Sequence, residues 1–254
     1  MKLNYKVYGE GFPLVILHGV FGSGDNWTTL ARKFGGQYKT IVPDLRNHGR
    51  SPHDPVFNYD AMVKDLHELV EDLKIPEFHL IGHSMGGKVA MFFAEKYPKM
   101  LRKLVVVDIA PRQYQPHHQE ILAGFKQVDL ANTSSRQEAE EAMATKITES
   151  DVRQFLLKNL YRTEAATFDW RVNLQAIEAN IEEVGKIFSN PEPVAIPTLF
   201  IRGGRSKYIQ ERDEADIAKQ FSQSQIETVA NAGHWVHAEQ PEAVFELVKD
   251  FLNG

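Results

Sequence analysis

Phe78-His79-Leu80-Ile81-Gly82-His83-Ser84-Met85-Gly86-Gly87 is the stretch that decides the fold. An apolar run leads into Gly-x-Ser-x-Gly, and a helical pattern follows to Tyr97, stopped near Pro98. The order is strand, sharp turn, helix. A turn this tight holds Ser84 in a strained conformation, and bulky neighbours at the glycine positions would clash with it. The Ser84 hydroxyl then stands above a helix N-terminus, whose N–H groups can face an anion. Ser84 is therefore the candidate nucleophile. The plainer reading is a Gly-rich turn with an ordinary serine at a helix start.

Working outward, short apolar runs recur on both sides. Leu14–Leu17, Thr40–Val42, Leu104–Val107, Thr198–Ile201 and Ile226–Val229 read as strands. Continuous apolar runs suit strands covered on both faces, as in parallel sheets. Leu3, Tyr5 and Val7 alternate with polar residues and predict a half-buried strand. Helical spacing lies between the runs: Tyr59, Met62, Val63, Leu66, Leu69, Val70 and Leu73 mark one face. Val244, Leu247, Val248, Phe251 and Leu252 mark a last helix, with Pro241 near its first turn. Alternating strands and helices predict an α/β fold with a mostly parallel central sheet flanked by helices.

One stretch breaks the alternation. From Gln113 to Asn190 no strand-like run appears. Ile121, Leu122, Phe125 and Val128 have helical spacing, as do Phe155, Leu156 and Leu160, then Leu174, Ile177, Ile181 and Val184. The expectation is a core of residues 1–112 and 191–254 with a helical cap, 113–190, inserted after the strand that ends at Asp108.

The chain has 254 residues, of which 43% are hydrophobic and 25% charged, a globular composition that excludes disorder as its main description. At this length a folded surface of roughly 11,000 Å² is expected, leaving room for a sizeable core. The net charge of −5 provides no general drive toward nucleic acid or anionic lipid. The lack of Cys rules out disulfides, a Cys nucleophile and Cys-held zinc or iron–sulfur centres, and fits a reducing compartment. The Met1–Lys6 start has no apolar segment of the signal-peptide kind, and no run approaches the length of a membrane span, so a cytoplasmic protein is expected.

A serine hydroxyl needs a base at neutral pH. Of the ten histidines, His234 in Ala232-Gly233-His234-Trp235 follows the last strand and precedes the last helix, and is the candidate base. His237, nearby, reads as a packing residue, and His83 as pointing away from the turn. Asp108 closes the Leu104–Val107 strand at the sheet edge where α/β sites gather, and is the candidate acid. It could instead cap the turn Ile109-Ala110-Pro111. Asp44-x-Arg46-x-x-Gly49-x-Ser51 reads first as a structural turn. His117-His118 with Glu120 makes a poor metal site, because neighbours on a helix face different ways; no metal and no cofactor are expected. Asp213, in a charged run, reads as solvated.

Five segments together, His18-Gly19-Val20-Phe21-Gly22-Ser23, Asp44–Ser51, Gly82–Gly87, Val107-Asp108-Ile109-Ala110-Pro111 and Ala232–Glu239, resemble the α/β-hydrolase-fold serine esterases. More narrowly they resemble the bacterial carboxylesterase family that includes Escherichia coli YbfF. The match runs from about residue 10 to 250 and is faint over the cap. The resemblance implies acyl-ester hydrolysis with Asp108 as acid, and an oxyanion hole formed by the backbone N–H groups of Val20 and Met85. Phe21 is an alternative donor, or a pocket wall together with Trp235. His18 then orients its loop. Many members of the superfamily carry the acid after the Thr198–Ile201 strand. Here that position is Ser206, which cannot hold a charge, so little effect is expected from its replacement.

The substrate class implied is a small acyl ester of short-to-medium chain, or an acyl-CoA thioester cleaved by the same residues. A dehalogenase or epoxide hydrolase of this fold would need Asp at position 84. Carbon–carbon hydrolases and cofactor-free haloperoxidases do use serine. A small-molecule receptor with an idle triad is the reading from another class. The sequence carries no sign of oligomeric state.

Overall fold

The structure is a computed structural model that describes residues 1–116 and 118–254. Seven strands form one sheet in the order β1-β3-β2-β4-β5-β8-β9. They are β1 (Tyr5–Tyr8), β2 (Phe12–Leu17), β3 (Tyr38–Pro43), β4 (Phe78–His83), β5 (Leu101–Val107), β8 (Thr198–Gly203) and β9 (Ser224–Val229). Every pairing is parallel except β1 with β3.

Two cores cover the two faces, because successive side chains on a strand point to opposite sides. Leu14, Ile16, Ile81, Val105 and Val107 pack with Trp27 and with helices α1 (Thr28–Phe34) and α11 (Pro241–Asn253). Val15, Leu17, Leu80, Leu104 and Val106 pack on the other face. There they meet α2 (Tyr59–Asp72) and α3 (Met85–Lys96). From β2 the chain crosses one way to β3, and from β4 the other way to β5, β8 and β9. The crevice beyond the C-terminal ends of β2 and β4 is therefore the topological switch point, where ligands of open α/β sheets bind.

The expected half-buried first strand is not half-buried. Tyr5 and Val7 are 39% and 44% exposed. β1 is the antiparallel edge strand, so its alternation faces solvent on both sides.

The stretch between β5 and β8 is helical only in part. It holds α4 (Gln119–Gln127), α5 (Arg136–Ala144), α6 (Ser150–Leu157), α7 (Leu174–Ala179) and α8 (Ile181–Val184). Between α6 and α7 lies an antiparallel hairpin, β6 (Leu160–Arg162) with β7 (Phe168–Trp170). Leu160, which continues the helical stripe of Phe155 and Leu156 in the sequence, begins β6 instead. Strands of three residues are too short to show a period of two, which is why the hairpin is invisible in the pattern. α5 leaves no stripe in the sequence for another reason: its buried residues are Ala139 and Met143 alone.

Both ends of this insertion are tied to the sheet by one side chain. Lys88 Nζ, from α3, donates to the carbonyls of Pro111 (2.8 Å) and Arg112 (2.7 Å), where the chain leaves, and of Lys186 (2.8 Å), where it returns. Burial pushes this ammonium well below the usual lysine range. Among the described residues no helix is long and apolar enough to cross a membrane.

Candidate active site

β4 ends in a turn that puts Ser84 at φ 53°, ψ −118°, a region costly for a side chain other than glycine. Its N–H donates to Val107 O at 3.0 Å, which pins the turn to β5. The flanking glycines answer to close contacts. A Cβ on Gly82 would lie 2.2 Å from Gly86 O, and one on Gly86 would lie 2.6 Å from His18 O. α3 begins at the next residue, Met85.

Asp108 sits at the end of neighbouring β5, also in the left-handed region (φ 51°) and fully buried. Its N–H donates to Ile201 O at 2.8 Å. One carboxylate oxygen, Oδ1, accepts the Gly203 N–H at 3.0 Å. The other, Oδ2, lies 2.8 Å from His234 Nδ1. His234 Nε2 in turn lies 3.1 Å from Ser84 Oγ. An ionised carboxylate only accepts, so Nδ1 carries the imidazole proton and Nε2 is left to accept from the serine. The structure thus brings together Ser84, His234 and Asp108, from three separate strand ends.

Asp108 has a further partner. Ser206 Oγ donates to the same Oδ2 at 2.5 Å, and Ser206 Oγ accepts the Tyr208 N–H at 3.1 Å. Ser206, set aside in the sequence because it cannot hold a charge, is thus in direct contact with the candidate acid. Its predicted indifference to replacement does not fit this geometry.

His83 does not point away. Its Nε2 donates to the backbone carbonyl of His234 at 2.9 Å, and the two rings lie 4.7 Å apart. This bond fixes the backbone that carries the candidate base. His237 packs, as expected: its ring stacks on Trp27 at 4.2 Å. Burial pushes His237 down to about 3 and holds His83 well below the ordinary histidine value, so both stay neutral at pH 7.

The loop after β2 faces Ser84. A Cβ on Gly19 would lie 3.0 Å from His83 Nδ1 and 3.2 Å from Ser84 Cβ, so the close approach favours glycine. His18 orients the loop, with Nε2 accepting the Leu45 N–H (2.9 Å) and Nδ1 on Gly19 O (2.8 Å). The Phe21 N–H is already taken by His48 Nε2 at 3.2 Å, which removes it as an alternative oxyanion donor. The Val20 and Met85 N–H groups meet no protein acceptor among the described residues. The Asp44 loop is structural, as expected: Asp44 accepts the Gly24 and Arg50 N–H groups, while Arg46 pairs with Asp65.

These elements enclose a cavity of about 150 Å³. Core residues Ser84, Phe21, His234 and Trp235 form one side, and Ile121, Val152 and Phe155 of the insertion the other. A void of this size takes a benzene-sized group. Tyr208, unremarked in the sequence, stacks on His234 with ring centroids 3.8 Å apart and planes 14° apart. Asp213 is a correction: it is buried and pairs with Arg112 at 3.0 Å instead of meeting solvent. Among the described residues no group of three His, Asp or Glu is placed to hold a metal; His117, of the His117-His118 pair, lies outside the described residues.

Comparison with known proteins agrees with the geometry at the level of the fold. A family model described as alpha/beta hydrolase fold matches residues 13–241. The chain is 39% identical over 259 residues to the Escherichia coli protein named esterase YbfF, with 100% of each chain covered. It is 39% identical over 247 residues to the sn-1-specific diacylglycerol lipase of Mus musculus, covering 94% of this chain and 80% of that one. Among solved structures, a marine microorganism esterase superposes with a TM-score of 0.96 at 37% identity, covering 98% of this chain and 99% of the other.

Proposed function

The chain belongs to the alpha/beta hydrolase fold family, and from that premise we propose that it is a carboxylesterase that cleaves small acyl esters through an acyl-enzyme on Ser84. The observation that carries this reading is the continuous contact from Asp108 Oδ2 to His234 Nδ1, and from His234 Nε2 to Ser84 Oγ. Related proteins named esterase and lipase support the reaction class.

In this mechanism Ser84 Oγ attacks the ester carbonyl as His234 Nε2 takes its proton. Asp108 holds the imidazole in the required tautomer and stabilises the imidazolium that forms. The N–H groups of Val20 and Met85 receive the oxyanion, aided by the N-terminus of α3. His234 then gives its proton to the leaving alcohol. Water enters, His234 takes a proton from it as its oxygen attacks the acyl carbonyl, and the imidazolium returns that proton to Ser84 Oγ as the ester bond to Ser84 breaks and the acid leaves. Residues 113–190 act as the cap, with Ile121, Val152 and Phe155 as the far wall of the acyl pocket. The small, mostly apolar cavity favours acyl chains of a few carbons.

The test is the hydrolysis rate on p-nitrophenyl esters of increasing acyl length, with Ser84→Ala in parallel and matched acyl-CoA thioesters as a second series. A rate that peaks at a short chain and vanishes in the variant is the expected result. A Ser84-dependent rate confined to thioesters would reassign the leaving group. Ligand binding without Ser84-dependent turnover would overturn the reading in favour of a receptor.

A further inference from the structure

Tyr208 lies in the loop that follows β8, and its ring covers one face of the His234 imidazole. At 3.8 Å between centroids and 14° between planes, the two rings are in flat contact. The loop is held at several points. The Tyr208 N–H donates to Ser206 Oγ, and the Tyr208 carbonyl accepts from Tyr114 Oη at 2.5 Å. Tyr114 Oη in turn accepts the Ala110 N–H at 2.8 Å, two residues after Asp108. The ring is therefore anchored to the same short segment that carries the acid.

We propose that Tyr208 is a positioning residue for His234, bracing the imidazole edge-on to Ser84 and stabilising its protonated form through the face of the ring. This rests on the reading of His234 as the catalytic base. In that reading the imidazole becomes a cation in the transition state. A cation over an aromatic face gains attraction that water would otherwise screen. The gain appears where the charge develops, so it acts on the rate and not on ground-state binding.

The other groups facing His234 leave this part open to the ring. Asp108, from the end of β5, meets the ring at Nδ1. Ser84 meets it at Nε2, so both contacts are to the edge nitrogens. His83, from β4, and His237, from α10 (Val236–Glu239), are buried and stay uncharged at neutral pH. Of the cations about the loop, Arg205 pairs with Glu239, Lys207 is exposed, and Arg112 lies over the Tyr114 ring at 3.9 Å, pairs with Asp213 and donates to the Lys207 and Tyr208 carbonyls. Tyr208 itself stays a neutral phenol, since burial raises its pKa further.

The experiment compares Tyr208→Phe, which keeps the ring, with Tyr208→Leu, which keeps an apolar side chain but no ring. His234 is titrated by side-chain NMR in each protein, assigned with His234→Gln, and kcat and KM are measured against pH on the best p-nitrophenyl ester. For Tyr208→Leu the expected results are a kcat lower by roughly 3- to 30-fold with KM little changed, and His234 protonation displaced to lower pH by about half a unit or more. Tyr208→Phe should restore both. A residue that merely filled space would alter stability or KM without moving the titration. The proposal is overturned if His234 titrates alike in all three proteins, or if Phe and Leu have equal effects. The NMR titration needs no turnover, so it decides the proposal even if the ester series shows no Ser84-dependent rate.

Discussion

At Asp108 the two carboxylate oxygens serve different partners. Oδ1 is spent on the Gly203 N–H, and Oδ2 is shared by His234 and Ser206. An asparagine there would offer one acceptor and would favour the wrong imidazole tautomer. Asp108→Asn should lower kcat by about 10⁴ with the fold retained, as circular dichroism would show. Ser206→Ala removes a bond to a charged group but leaves the charge, so a fall in kcat of about tenfold is expected, with KM held. Equal and large losses in both would mean that Ser206 is as central as the acid itself. The residues of this site were unevenly legible. Ser84 and His234 stand in short motifs whose glycines have direct geometric causes. Asp108 was found through its place at a strand end. Ser206, Tyr208 and His83 escape a reading of the sequence, because each acts through a partner outside its own segment (Asp108 for Ser206, His234 for Tyr208 and His83), and no local spacing records such contacts.

At the scale of elements, the insertion lines the cavity that holds Ser84. Phe155 comes from α6 and packs against the Trp235 ring, centroids 5.1 Å apart, where both line the cavity. Phe155→Ala should lengthen the preferred acyl chain by several carbons, read as a shifted peak in the p-nitrophenyl ester series, since the side chain's volume passes to the pocket. Lys88 is the other lever. Lys88→Met would leave the carbonyls of Pro111, Arg112 and Lys186 without their buried donor. A loss of about 2–4 kcal/mol in urea unfolding is expected, with faster protease cleavage near residues 111–112 and 186. The strands of the sheet were readable because burial on both faces leaves an unbroken apolar run. The β6–β7 hairpin and α5 were not, because short elements on a shared surface leave too little pattern.

Over the whole molecule, histidines are buried on both sides of the sheet. Burial pushes His48 and His237 down to about 3, and His79 to about 4. Their folded values lie below the unfolded value of about 6.5, so between those limits the unfolded chain binds more protons. Stability is therefore full above about pH 6.5 and falls as the pH drops toward 3–4. A melting temperature that declines steadily from pH 7 to pH 4 is expected. His79 lies against Phe12 and Tyr38, at the start of β4 and far along the strand from Ser84, so His79→Gln should flatten the decline without changing ester hydrolysis.

By itself the sequence determined the alternating strands and helices, the strained serine turn and the histidine after the last strand. Each of these is a local matter, set by side-chain period, glycine sterics and chain order. Only the tertiary structure decided the strand order that makes β2 and β4 neighbours at the switch point, the partners of each Asp108 oxygen, the ring over His234 and the size of the cavity. Those depend on atoms brought together from opposite ends of the chain, and folding, not spacing, sets their distances.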